Sequence, residues 1–413
     1  MNLKKLSRYA IIIIFIIVAA VHLPHFYYKI FYKSVRSPIV YYSPTIKDFA
    51  YFKHTEQGLQ FRDGKGNTYK RKGYEKLLPF LYYRDLDKWG VMPDTIQGLP
   101  VDITYIRHNS QRIRMRSYEM DQPKIELYPL FESKSDYTTL TYPRELFRIN
   151  EKMEFITAST NKINKTLSEK FNRVLKEKGF QFPAQLIEGN PTTRKPFDEG
   201  YFIVDAEGSV FHLKKVHNSP HCVKTPIDKD LGIRKILIRE SVRREIYGII
   251  ITHSAEVYMI SYDNYRLIKI PLEHYNPDKM DLSFYADPIY RTFKYDNGVH
   301  FYHKVFDSTY SFVDSLTISL TPEEEKTSYK VKQAIFPFEI KTTKSTSSLI
   351  HFDLQCQSML SIIGIIISLI IGIGIKMYRK DNLRENWFDL ILILLTGVYG
   401  LLGIILIKPD IWD

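Results

Sequence analysis

The side chains best equipped for chemistry in this sequence fall close together: His212, His217, His221 and Cys222 occupy one span of eleven residues. Imidazole nitrogen and thiolate sulfur are ligands for zinc or copper, so the four form a candidate metal site. Their spacing matches no established metal motif, His212 falls in a run that reads as a strand, and a structural site needs well-placed partners behind its ligands. No other cofactor is implied. Arg112, Arg114 and Arg116 alternate and therefore share one strand face. That face could receive an anionic ligand or lipid head groups; a solvated outer face, with Ile113 and Met115 turned inward, is the simpler expectation. Asp198 and Glu199 are adjacent, and neighbours on a strand point to opposite faces, which argues against paired acid–base work. No nucleophile elbow, phosphate-binding glycine loop or helical HExxH occurs, so no catalytic residue is assigned. Asn164-Lys165-Thr166 matches a glycosylation sequon, a pattern frequent by chance.

The elements that must position these residues are mainly strands. Gly200–Val216 reads as a hairpin, with β-rich runs Tyr201–Asp205 and Val210–Val216 around a turn at Gly208. Similar units have turns near Gly66, Ser110, Glu151, Ser254 and Asn297-Gly298. The intervals between turns are 44, 41, 57, 46 and 44 residues, and the long one contains a helical stripe over 161–178 (Ile163, Leu167, Phe171, Val174, Leu175). Thr166 with Glu169 is a candidate capping box for that helix, and Gly179 is placed to end it. Periods of about 40–50 residues belong to four-stranded propeller blades. The expected fold class is therefore mainly β, a propeller-like body of about six hairpin units with helical insertions. Other all-β and α+β arrangements stay open. Short helices are expected over 77–89, after Pro79, and from Thr321-Pro322-Glu323.

Three apolar stretches flank and follow this body. Tyr9–Leu23 is preceded by Lys4, Lys5 and Arg8, and is either a transmembrane helix or a cleaved signal peptide. Phe26, Tyr27 and Tyr28 would suit an aromatic belt at its end. Ser358–Ile375 and Trp387–Ile407 are each long enough to span a bilayer, and the link between them carries Lys376, Arg379, Lys380 and Arg384. Positive residues favour the cytoplasmic side, so both charge clusters place the intervening chain outside the cytoplasm. The expected layout is a cytoplasmic start at 1–8, a span at 9–23 and an extracytoplasmic β-rich domain over 24–341. A tether at 342–356, a span at 357–376, a cytoplasmic loop at 377–386, a second span at 387–407 and an outer tail at 408–413 follow. The expected localisation is the inner membrane, as a multi-pass protein. Gly364, Ser368 and Gly372, and likewise Thr396, Gly400 and Gly403, line helix faces suited to close packing, either as a self-packed pair or against another subunit. Asp389 is expected to reach water at the interface.

Net charge is +12 over 413 residues, of which the first 23 hold +3 and residues 357–413 sum to zero, leaving +9 in the middle. Lys29, Lys33 and Arg36 are expected against lipid head groups. A mildly basic domain beside an anionic membrane accounts for this balance without nucleic acid. Two cysteines, Cys222 and Cys356, allow at most one disulfide.

The run from Asn190 to Phe202 (NPTTRKPFDEGYF), followed by Val210–Lys214, resembles an uncharacterised bacterial membrane-protein family. Leu78–Arg84, with Trp89-Gly90 and Met92-Pro93, is similar to it as well. The resemblance implies a membrane protein encoded near ABC-transporter components, with no site residues to carry over. The expected function is a non-enzymatic, membrane-anchored accessory or binding protein working beside a permease or other membrane subunit, its ligand open. An extracytoplasmic ligand- or metal-sensing domain using the His/Cys cluster, and an extracytoplasmic hydrolase, are the alternatives.

Overall fold

The computed structural model describes residues 3–31, 37–55, 57–343, 350–379 and 387–408. Lys33, Arg36, Lys380, Arg384, most of the polar run at 342–348 and the tail beyond residue 408 lie outside the described residues. The chain divides into two compact units, Arg36–Ser319 and Met1–Val35 with Leu320–Asp413.

The first unit is mainly β, built from antiparallel meanders in which consecutive strands pair side by side. The first meander holds Ile39–Ser43, Asp48–Thr55, Gly58–Asp63 and Thr68–Tyr69. The second holds Tyr128–Pro129, Glu145–Ile149, Met153–Thr157 and Lys162–Ile163. Leu186–Gly189, Tyr201–Val204, Val210–Val216 and Ser219–Lys224 make the third, and Ile233–Ile238, Ile246–Thr252, Val257–Ser261 and Leu267–Ile270 the fourth. Asp281–Ala286, Arg291–Asp296, His300–Phe306 and Phe312–Ser319 make the fifth, which gains Gln111–Met115 as an extra strand beside Asp281–Ala286.

Strand alternation sends successive side chains to opposite faces, and here each face meets a different neighbour. Tyr201 and Ile203 pack with Phe147 and Phe155 of the second meander, while Phe202 and Val204 pack with Ile236 and Ile250 of the fourth. Ile249 and Met259 of the fourth face Phe284 and Phe293 of the fifth. Tyr290 and Val305 on the other side of the fifth meet Val40 and Tyr42 of the first. The strand Ile246–Thr252 is buried along its whole length as a result. Gly248 within it has no room for a side chain: a Cβ there would lie 1.9 Å from the Leu237 carbonyl oxygen.

The turns at Glu151, Gly208, Ser254 and Asn297-Gly298 are hairpins as expected, each joining the second and third strands of its meander. The turn near Ser110 is not. Ile103–His108 is a helix, capped by the Asp102 carboxylate, which accepts from Tyr105 N at 2.7 Å. Gln111–Met115 then pairs with Asp281–Ala286 instead of its own neighbours. Five meanders among the described residues therefore replace the expected six units. The helix after the second meander is Lys165–Glu177, with Gly179 beyond it at φ +81°. Its cap is Asn164, which accepts from Leu167 N at 3.1 Å, rather than the Thr166–Glu169 box. The expected helix at 77–89 reduces to Tyr83–Lys88, and a separate short helix, Arg71–Leu77, ends where it was to begin.

The second unit joins the helix Leu3–Phe31 to helices Thr327–Ile335, Ser361–Tyr378, Trp387–Thr396 and Val398–Leu406. Two of these, over Lys5–Phe31 and Ser361–Tyr378, are long and apolar enough to cross a membrane. The expected single span at 387–407 is interrupted at Gly397, whose φ of +57° breaks the helix. Where a tether was expected, Ile350–Cys356 pairs with Phe338–Thr343 as a hairpin. The small-residue faces are occupied within the unit. A Cβ on Gly372 would lie 2.5 Å from Ile393 Cδ1, one on Gly403 3.1 Å from Ile12 Cγ2, and one on Gly364 2.0 Å from the Ala334 carbonyl oxygen.

Asp389 does not reach water. It is fully buried, and its Oδ1 and Oδ2 accept from the Arg8 guanidinium at 3.1 and 3.2 Å while Lys376 Nζ donates to Oδ2 at 2.8 Å. Arg8 Nε also donates to the Ile407 carbonyl at 3.1 Å. One carboxylate thus ties the N-terminal helix to the C-terminal ones, and both cations need it, being 3 % exposed. Asp389→Ala should cost about 3–5 kcal/mol, the usual penalty for stranding buried charge, read as a large drop in the thermal midpoint of detergent-solubilised protein. Gly364→Val should also fail to give a folded monodisperse peak on size exclusion, because its Cβ meets backbone, whereas Gly374→Ala, with open space around it, should behave as the parent.

Candidate functional site

The four candidate metal ligands do not converge. In the hairpin of the third meander Leu213 stands opposite Cys222 and Lys214 opposite His221. Cys222 therefore shares the Leu213 face, in the apolar core with Phe211 and Phe171, while His212 and His221 belong to the other. Burial pushes the Cys222 thiol up to about 12. The His212 ring is engaged at both nitrogens: Nε2 lies 2.5 Å from the Glu199 carbonyl oxygen and Nδ1 2.9 Å from the Tyr265 hydroxyl. A carbonyl can only accept, so Nε2 carries the proton and Nδ1 accepts from the tyrosine. Burial pulls this imidazole down to about 3, keeping it neutral. His217 sits in the tight turn at φ +48° and, like His221, is exposed. Among the described residues no group of three or more His, Cys, Asp or Glu side chains is arranged to hold a metal ion. The physical reason is strand alternation, which separates donors that the sequence crowds together. Cys222 and Cys356 are both free thiols.

The stretch 190–200 builds a buried ionic cluster. Lys195 Nζ donates to the Asn190 carbonyl at 2.6 Å, to Glu240 Oε1 at 2.9 Å and to Asp198. Asn190 Nδ2 donates to Glu240 Oε2 at 2.6 Å, and Gly200 N to Asp198 Oδ2 at 3.0 Å. Glu199 turns away to Lys214 at 2.8 Å, so the adjacent carboxylates have separate partners. Burial pushes Asp198 up to about 6, with Lys195 pulling the other way. Every donor and acceptor named here is engaged within the protein, and the cluster joins the third meander to the fourth. Its work is structural.

The arginine strand leads to a different place. Ile113 and Met115 enter the core and Arg112 and Arg114 are exposed, both as expected, and the exposed face on which the two arginines stand is also one wall of a cavity. Arg116 lies beyond the strand and donates to the Tyr118 hydroxyl. Register explains the wall. Arg112 stands opposite Tyr285, and Tyr285 opposite Thr292; Arg114 stands opposite Ser283, and Ser283 opposite Lys294. These six side chains share one face of the fifth meander, and all line a cavity of about 460 Å³. Tyr41 and Tyr42 of the first meander form the facing wall, and Leu78, Phe80 and Leu81 close one side. A second cavity of about 330 Å³ shares Arg112 and Arg114 and continues to Ile236 and Arg239.

The charge in the larger cavity is mostly positive. Lys294 donates to the Val40 carbonyl and lies 4.1 Å from the centroid of the Tyr41 ring. Arg112 has its guanidinium carbon 5.5 Å from the Tyr285 centroid and no carboxylate partner among the described residues. Arg114 reaches Asp281 at 3.5 Å. Asp287, the acidic group in the wall, turns its Oδ1 to its own turn, accepting from Ile289 N and Tyr290 N at 2.8 and 2.6 Å. Burial pushes its carboxyl up to about 6. Burial first, and the Arg112 charge second, pull Lys294 down to about 7. Neither Lys294 nor Tyr285 stood out in the sequence. The available signal was a lysine between Phe293 and Tyr295 in a strand whose alternate positions are aromatic.

The Lys294 shift makes stability depend on pH. The unfolded chain holds this proton up to an ordinary lysine value near 10.5, the folded one only to about 7. Folding therefore releases a proton between those values, and stability rises with pH across that window. Arg112 and His303 face Lys294, and His303 is already neutral because burial pulls it down to about 3. Chemical denaturation between pH 7 and 9.5 should show stability climbing in the parent and a flatter profile in Lys294→Met.

No curated protein matches this chain. A family profile described as "Domain of unknown function (DUF4857)" spans residues 39–304, well over half of the sequence and the whole wall of the cavity. The chain belongs to that family.

Proposed function

We propose that this protein is a non-enzymatic, membrane-anchored binding protein. Its body is propeller-like and works outside the cytoplasm, as an accessory to an ABC-type permease or a related membrane subunit. The observation that carries the binding role is the 460 Å³ cavity, concave, lined by aromatic and cationic side chains, and within the size range of small-molecule sites. Serial face-to-face packing of four-stranded meanders supports the propeller-like body, since blades pack on their neighbours in this way. The shared Asp389 carboxylate supports the topology. Arg8 precedes the first apolar stretch and Lys376 ends the next, and the positive-inside argument requires them on the same side of the bilayer. It also favours retention of the first helix as an anchor, because losing Arg8 would remove one of two partners of a buried carboxylate.

Crosslinking in intact cells, followed by purification in mild detergent and identification of the captured proteins, tests the accessory role. A permease or its ATPase should be enriched with the full-length chain. Equal recovery from cells lacking the bait would remove the transporter association. Reporter fusions within 36–319 that behave as cytosolic would remove the proposed location.

A further inference from the structure

We infer that the cavity between the first and fifth meanders binds an organic anion, its carboxylate or phosphate held between Arg112 and Lys294 and its apolar body lying against Tyr41, Leu78, Phe80 and Tyr285. The inference rests on the binding role proposed above and names its ligand class.

Four observations converge. First, cations elsewhere in this unit are neutralised when they are taken from water. Arg291, fully buried, makes two bonds of 2.7 Å to the Glu245 carboxylate, and Lys195 is held by two carboxylates. Lys294, half-buried, departs from that pattern: its partners are a carbonyl and the Tyr41 ring, and the cation that shares its face and cavity, the exposed Arg112, rests on the Tyr285 ring with no carboxylate among the described residues. Second, the two charges repel, since Arg112 is among the influences that strip the Lys294 proton. A ligand bearing negative charge would relieve this repulsion, and a neutral one would not. Third, the carboxylate in the wall does not substitute: Asp287 Oδ1 accepts from two amides of its own turn, and among the described residues Asp287 makes no ion pair with Arg112 or Lys294. Fourth, the chemistry of the rest of the wall is that of a ligand's body: tyrosine rings on two sides and Leu78 and Phe80 on a third. Arginine adds a planar fork suited to two oxygens at once, while lysine supplies a point charge. The adjoining 330 Å³ cavity adds Arg239 and a carboxylate, Glu188, which is paired with Lys124 and Lys235.

Such an anion could be a soluble molecule or the head group of a lipid, and the test separates them. Full-length protein in a maltoside detergent is titrated calorimetrically with phenyl phosphate, benzoate, the neutral benzyl alcohol and dihexanoyl phosphatidate. Phenyl phosphate or benzoate should bind, and benzyl alcohol should not. Arg112→Gln, at a solvent-accessible residue, and Lys294→Met should each weaken binding about 10- to 100-fold, the value of one charge-assisted hydrogen bond. Arg107→Gln, on the helix outside the cavity, should leave it unchanged. Tighter binding of phosphatidate than of phenyl phosphate assigns the site to a lipid head group, and the reverse order to a soluble anion; both uphold the inference. Benzyl alcohol binding as tightly as the anions overturns the anion assignment while leaving a binding cavity. Unchanged affinity in Arg112→Gln does the same. Failure of every probe to bind overturns the assignment and the binding role together, and capture of a permease in cells would then leave the accessory role standing alone.

Discussion

The β unit depends on one constraint: its central strands have two apolar faces, and each face needs a different cover. Tyr201–Val204 shows this in four residues, all buried, with alternate side chains committed to the second and fourth meanders. No meander can satisfy this alone, because a sheet left with one such face in water would expose several aromatic side chains. The meanders therefore stack in series, second on third, third on fourth, fourth on fifth and fifth on first. The first meander turns its remaining face to the helix Arg71–Leu77, where Ala50 and Phe52 pack with Tyr74 and Leu77.

Polar groups caught at these seams are handled in a consistent way. Lys195 meets Glu240 across the third and fourth meanders, and Arg291 meets Glu245 across the fourth and fifth. Buried pairs of this kind add little net stability over apolar packing, but removing one member is costly. Glu245 also accepts from the Tyr310 hydroxyl at 2.8 Å, and the Arg291 guanidinium donates to the Asp287 carbonyl at 3.0 Å. The conspicuous sequence NPTTRKPFDEGYF is explained by this role: its lysine, aspartate and glycine build a seam, and Gly200 at φ +67° has the Leu213 carbonyl oxygen where a Cβ would be, 2.1 Å away.

What the sequence disclosed, and what it hid, follows from the distance over which each interaction acts. Hairpins at Glu151, Gly208, Ser254 and Asn297-Gly298 were legible because a turn and its flanking strands are local. Their regular spacing reflected a real repeat, since each joins equivalent strands of its meander. The error at Ser110 came from a strand whose partner lies some 170 residues later: Gln111–Met115 has the alternation of a hairpin arm, but Ile103–His108 before it is a helix. The histidine cluster misled for a related reason. Nearness along a strand is not convergence in space, and Cys222 and His212 are held on opposite faces. Asp389 looks solvated in the sequence because its partners are 381 and 13 residues away. The shared face of Arg112 and Arg114, and an anion as one possible occupant, are legible in the sequence; the cavity is not, because the facing wall comes from Tyr41 and the closing side from Leu78–Leu81.

That distant pairing bears on the cavity itself. Arg112 reaches its place only when Gln111–Met115 has joined Asp281–Ala286, and Lys294 faces Tyr41 only when the first meander has packed on the fifth. The wall is assembled from residues near both ends of the unit, so it is absent from any partly folded form that lacks one end. A ligand that recognises Arg112 and Lys294 together would bind the completed fold alone, and by mass action would stabilise it by RT ln(1 + [L]/Kd). Loop-closure entropy disfavours the pairing of such distant strands, which makes this seam a natural place for binding energy to act. The seam at which Arg112 and Lys294 have no carboxylate among the described residues is thus also the one whose closure completes the stack.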